Sequence, residues 1–216
     1  MLGVGEIIEQ VHAAFGANTY PGDGFLQGSF EGCEPYEEVG AFIGKTEWAK
    51  LDSSMLDEHY CALGFFSEAG FRFFLPAYLI ADLQEQLRTA DPLFYLCHGF
   101  ATASAEVPVS SRTFHRTSGG DTLVNPRRYG AMTWRDYNRQ RLSVFTREEA
   151  QAIVGYMTCK RERDSMGLDR LSIDAALEQY WMDRAANAPT REALEAHLRV
   201  ESEFMAALRQ KYEEQP

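Results

Sequence analysis

Eight arginines fall between Arg112 and Arg147 (Arg112, Arg116, Arg127, Arg128, Arg135, Arg139, Arg141 and Arg147), against Asp121 and Asp136 and no lysine. Phe114, Tyr129, Trp134, Tyr137 and Phe145 are interleaved with them. A guanidinium is a planar fork that grips carboxylate or phosphate bidentately and stacks on rings. Mixed with aromatics it suits base stacking in single-strand binders. It equally suits protein interfaces, where Arg, Tyr and Trp supply most of the binding energy. Arg112, Arg116, Arg127, Arg128, Trp134, Arg135 and Tyr137 therefore form the first candidate binding surface. An intramolecular use competes with both: the segment could fold across an acidic partner surface of the same chain through Arg–carboxylate pairs.

A second candidate lies in Phe71-Arg72-Phe73-Phe74-Leu75-Pro76-Ala77-Tyr78-Leu79. Proline inside a helical stripe removes a backbone hydrogen bond and clashes with the preceding turn, so a kink or a break into two helices is expected at Pro76. A pocket at that kink would have Phe71, Phe74 and Tyr78 as walls and Arg72 as anion anchor. The plainer reading makes Arg72 a buried ion-pair or stacking anchor.

Other chemistries fail on spacing. Gly40-Ala41-Phe42-Ile43-Gly44-Lys45-Thr46 has three residues between its glycines where a phosphate-wrapping loop needs four. The five histidines show no metal-ligand spacing, and the cysteines Cys33, Cys61, Cys97 and Cys159 contain no CxxC pair. His115, Ser118 and Asp121 have the types of a hydrolase triad but sit within seven residues of one flexible stretch, with no GxSxG elbow. Neighbouring carboxylates such as Glu148-Glu149 do not face each other on a helix. No catalytic residue, metal set or cofactor is assigned, and intrinsic catalysis is not expected.

The elements that must position these residues read as mainly helical. Hydrophobic content of 45% with 25% charged residues is ordinary for a globular chain of 216 residues. Val4, Ile7, Ile8, Val11 and Phe15 recur at helical spacing, with Gly16 as a stop. Shorter helices are expected from Pro35 to Gly44, over 54–63 and from Pro92 to about Phe100. A long one follows Ser67, where Phe71, Phe74, Leu75, Tyr78, Leu79, Leu83 and Leu87 form one apolar face. Thr146-Arg147-Glu148-Glu149 is a capping box opening another. Residues 101–142 lose periodicity and read as a long irregular loop. Within it Arg112–Thr117 and Asp121–Val124 could pair as a short hairpin about Gly119-Gly120. Helices over 173–186 and 191–212 close the chain as a C-terminal pair.

Leu63-Gly64-Phe65-Phe66-Ser67-Glu68-Ala69-Gly70, running on through the Phe71–Leu79 block, resembles an uncharacterised bacterial domain family of unknown function. The segments Phe42–Trp48 and Phe145–Ile153 fit the same pattern. The resemblance covers roughly residues 5–105 and 140–165, and implies no activity and no functional residues.

The reading is a mainly α compact domain over residues 1–165, holding the irregular 101–142 segment, with a helical pair over 170–214 packed on it. Residues 1–108 hold 4 basic and 16 acidic side chains, a net of −12, within a whole-chain charge of −11. That balance opposes nucleic acid and anionic membranes. The missing signal n-region and the unpaired, dispersed cysteines point to a reduced cytoplasmic protein. Another protein is the expected partner, with monomer and homodimer both open. One version is an immunity- or antitoxin-like role, an acidic helical protein capping a basic partner. The alternatives are a small-molecule protein or enzyme using the Pro76 pocket, and a single-strand nucleic-acid binder.

Overall fold

The computed structural model describes residues 3–30, 32–110, 112–125 and 131–196. Its architecture is mainly α-helical, with one two-stranded antiparallel sheet. In chain order the helices are α1 (Val4–Phe15), α2 (Glu34–Gly40), α3 (Ser53–Glu58), α4 (Ala62–Phe65), α5 (Glu68–Leu83) and α6 (Pro92–Cys97). Strands β1 (Thr102–Val109) and β2 (Arg112–Gly119) follow. Then come α7 (Trp134–Arg141), α8 (Arg147–Arg163), α9 (Arg170–Ala176) and α10 (Met182–Asn187). No helix among the described residues is long and apolar enough to cross a membrane.

The central element is α5. Ser67 caps it, its hydroxyl accepting from the Gly70 amide at 3.0 Å, which satisfies one donor the first turn would leave open. Phe71, Phe74, Leu75, Tyr78 and Leu79 are fully buried, each contributing roughly 1.5–3 kcal/mol by leaving water. Helix α1 packs on both α5 and α8, while α6 and α3 cover other parts of α5. The expected break at Pro76 does not occur: α5 runs unbroken through it. Pro76 is itself buried, so packing on all sides holds the helix together against a penalty of about 3 kcal/mol.

The capping box of α8 forms as its sequence implies. The Glu149 carboxylate accepts the Thr146 amide at 2.8 Å. Helices α9 and α10 join through a π-helical turn, Leu177–Trp181, into one stretch. The wider turn accommodates a fully buried Trp181, whose indole N–H donates to the Leu96 carbonyl at 3.0 Å. Residues 191–196 are helical again, with Thr190 capping them. The expected continuation of that helix to residue 212 lies outside the described residues.

The described part of the irregular segment holds more regular structure than its composition suggests. Its hairpin pairs Arg112–Gly119 with Thr102–Val109, not with Asp121–Val124. Gly119 and Gly120 sit at the foot of the hairpin instead of at its turn. A Cβ on Gly119, whose φ is +98°, would meet the Ala101 carbonyl oxygen at 2.1 Å; one on Gly120 would meet that of Gly99 at 2.7 Å. The glycines serve close backbone approach, and the two strands join at the far end, after Val109.

Candidate interaction site

Strands β1 and β2 form an arm. They pack chiefly on each other, and Thr102–Glu106 and Arg112–Phe114 are exposed along its length. Eight residues per strand give a reach of about 26 Å. The register sets Ala103 opposite Ser118 and Ala105 opposite Arg116. With a side-chain period of two, Ala103, Ala105, Arg112, Phe114, Arg116 and Ser118 share one face. Phe114 is 52% exposed. Among the described residues neither Arg112 nor Arg116 meets a carboxylate.

The foot of the arm is fixed by polar contacts. The Thr102 hydroxyl donates to Asp121 at 2.8 Å, and Arg135 pairs with the same carboxylate at 2.6 Å. These partners, Thr102 foremost, hold the Asp121 carboxyl below its usual range. The Gly120 amide donates to Ala101 at 2.9 Å and the Arg135 amide to Gly120 at 3.1 Å, tying the N-terminus of α7 to the base.

Beside the foot opens a cleft of about 360 Å³. Its walls include Asp91 and Phe94 of the α6 region, His98, the arm residues Ala103 and Ser118, and Asp169 and Leu171 at the start of α9. Phe94 and Leu171 are 51% and 67% exposed. The His98 ring lies 4.8 Å from Phe94 and 5.0 Å from Trp134, and burial holds its imidazole below the usual range. Because Ala103 and Ser118 line the cleft, the arginine-bearing face of the arm continues into it.

The sequence candidates divide into three groups. Arg112 and Arg116 stand on the open face of the arm. Trp134, Arg135 and Tyr137 lie partly buried on α7 at its base, and Arg127 and Arg128 lie outside the described residues. The third group belongs to the core. Phe71, Phe74 and Tyr78 are fully buried among other rings, and Arg72 is committed to Glu149 through Nε and Nη2 at 2.9 Å each. The walls and anchor expected of a Pro76 pocket are therefore spent on packing, and Arg72 takes its plainer role. Arg139, Arg141 and Arg147 are likewise spent on backbone carbonyls and not on carboxylates of the acidic first half. Arg141 donates to the Leu63 carbonyl at 2.5 Å and lies 4.9 Å over the Phe71 ring, Arg139 donates to Gln179, and Arg147 to Ala188.

Sequence reasoning missed the cleft because its walls come from three separated stretches, 91–103, 118–119 and 169–172. The available signal was the alternation of Thr102-Ala103-Ser104-Ala105-Glu106, obscured by Pro108. Among the described residues no cluster of His, Cys, Asp or Glu is placed to hold a metal ion.

Fold and site together define a mainly α-helical domain with an exposed β-arm. A model of a family of unknown function (DUF6714) matches residues 5–185, and the chain belongs to that family. The matched span runs through the arm and most of the α9–α10 stretch, which the block resemblance leaves outside. No curated protein and no solved structure matches the chain.

Proposed function

We propose that the chain is a non-catalytic protein-binding module whose interface is the arginine-bearing face of the arm together with the cleft at its foot. The observation that carries this reading is Arg112, Phe114 and Arg116 standing exposed on a hairpin, the arginines meeting no carboxylate among the described residues. An arginine pair flanking an aromatic is the composition of an interface hot spot. A protein suits the whole surface better than nucleic acid does: Asp91 and Asp169 in the adjoining cleft would repel phosphate, and the first half carries −12.

The test is affinity capture from native lysate, nuclease-treated, at 50 and 500 mM salt, with wild type beside R112E/R116E and F114A. A stoichiometric protein held at low salt by wild type, released at high salt, and lost at least ten-fold in both variants supports the reading. The same proteins held equally by wild type and R112E/R116E would overturn it.

A second reading uses the cleft alone. Its volume of about 360 Å³ lies in the range of small-ligand sites, and its walls mix apolar and ionisable groups as such sites do. A ligand bound only by the native state raises the melting temperature, so a thermal-shift screen of small metabolites separates it from the first. Stabilisation abolished by H98A but untouched by R112E/R116E would favour the cleft.

A further inference from the structure

We infer that the arm engages its partner by strand addition: an extended acidic segment of another protein pairs with the free outer edge of β2. This rests on the protein-binding reading and specifies how the same surface works.

Among the described residues the sheet has these two strands alone, so no described strand lies along the outer edge of β2. Two residues connect Val109 to Arg112, and a connection of that length closes on a hydrogen-bonded pair. Antiparallel pairing then alternates, so Thr113, Thr117 and the positions between them in step turn their amides outward on β2, and Ser104 and Pro108 lie in the same phase on β1. Pro108 has no amide to offer. The outer edge of β1 is thus interrupted by a proline, which is how natural sheets guard an edge. The outer edge of β2 holds no proline and is rich in β-formers, Thr113, Phe114 and Thr117. A two-stranded sheet is marginal in water, and a third strand supplies what it lacks.

Charge selects the occupant. Arg112 and Arg116 stand four residues apart on one face with Phe114 between them, about 13 Å from end to end. An added strand matches them with acid, apolar and acid at alternate positions, a pattern of period two. A second copy of the chain fits poorly in the register centred on Phe114. Pairing β2 with its own copy about Phe114 would set Arg112 opposite Arg116, and like charges directly opposite are destabilising.

The probe is a capped heptapeptide, threonine at every other position with glutamate, valine and glutamate between. Its control is an isomer of the same composition with the glutamates adjacent. Binding is followed by amide NMR and hydrogen exchange on the whole protein. The inference expects exchange at the Thr113 and Thr117 amides to slow at least ten-fold with the first peptide and not with the isomer. T113P and T117P, which copy the edge-guarding Pro108 on β2, should weaken binding at least ten-fold, while S104P on the other edge leaves it unchanged. N-methylating the peptide at its inward amides should abolish binding without altering the protein.

Binding lost in R112E/R116E but with Thr113 and Thr117 unprotected would overturn strand addition and leave the protein-binding reading standing, as docking on the face of the arm. No peptide binding at 1 mM would overturn strand addition likewise. A peptide-free dimer abolished by T117P would replace the acidic partner with a second copy. Failure of the protein-binding reading itself has a different signature: lysate proteins captured equally by wild type and R112E/R116E.

Discussion

Two carboxylates show how single residues organise the chain. Glu149 is fully buried, accepts from Arg72 at 2.9 Å, and caps α8 through the Thr146 amide; its use as a cap makes it hard to replace. Removing one partner of such a pair leaves the other charge buried, which costs about 3–5 kcal/mol, and Arg191, 3.8 Å from the same carboxylate, keeps the cost toward the lower end. R72M should therefore lower urea-unfolding stability by that order, and R72M/E149M should lie closer to wild type than R72M does; a double variant worse than both singles would mean the cap outweighs the pair. Asp57 works at the surface. One of its carboxylate oxygens accepts three successive amides, Arg88 at 2.9 Å, Thr89 at 2.7 Å and Ala90 at 2.9 Å. These bonds hold its carboxyl below the usual range. A depressed carboxyl stabilises the fold above its unfolded pKa near 4 and loses that contribution as pH falls through the folded value. D57A should cost roughly 1–2 kcal/mol at neutral pH, measured by denaturant melts, and show a shallower loss of stability between pH 5 and 3. An unchanged acid slope would count against Asp57 as the group responsible.

At the scale of elements, the arm and the core answer to different forces. Helix α5 is held by burial along most of its length, whereas β1 and β2 are held chiefly by their own ladder. Hydrogen exchange should reflect that: ladder amides of residues 102–119 should exchange at least a hundred-fold faster than those of Phe74–Leu79, through local opening of the arm alone. Equal protection would mean the arm is coupled to the core. The same division explains what the sequence revealed. Helices α1, α5 and α8 were legible because their stripes and caps are local, Ser67 and Thr146 among them. The hairpin was half legible: β2 was recognised and its partner was not. Gly119-Gly120 looks like a turn, and nothing local tells that these glycines are demanded by the Ala101 and Gly99 carbonyls. The partner of Arg72 lies 77 positions away, and the cleft draws on α6, the arm and α9. Arg112 and Arg116 were legible as candidates, but their exposure depends on how the arm leaves the body.

On the scale of the whole molecule, four arginines of the rich segment are used elsewhere than on carboxylates of the acidic first half. Arg139, Arg141 and Arg147 bind carbonyls at the seams between helices, and Arg135 pairs with Asp121 inside its own segment. The molecule therefore divides into a body that holds itself together and an arm that adds little to it. Thr102 and Gly119 are register partners at the foot, so their Cα atoms lie about 5 Å apart. Replacing residues 103–118 with two or three glycines would bridge that gap without pulling on α6 or α7. The excised protein should keep its helical circular dichroism and melt within about 3 °C of wild type, since the buried side chains of α1, α5 and α8 are untouched. It should at the same time lose the salt-sensitive partner, because the arginines and one wall of the cleft go with the arm. A fall of more than about 10 °C would show instead that the arm is structural, since a 1 kcal/mol change moves the midpoint only about 2–4 °C in a chain of this length. The exposure of Arg112, Phe114 and Arg116 would then need another explanation than binding.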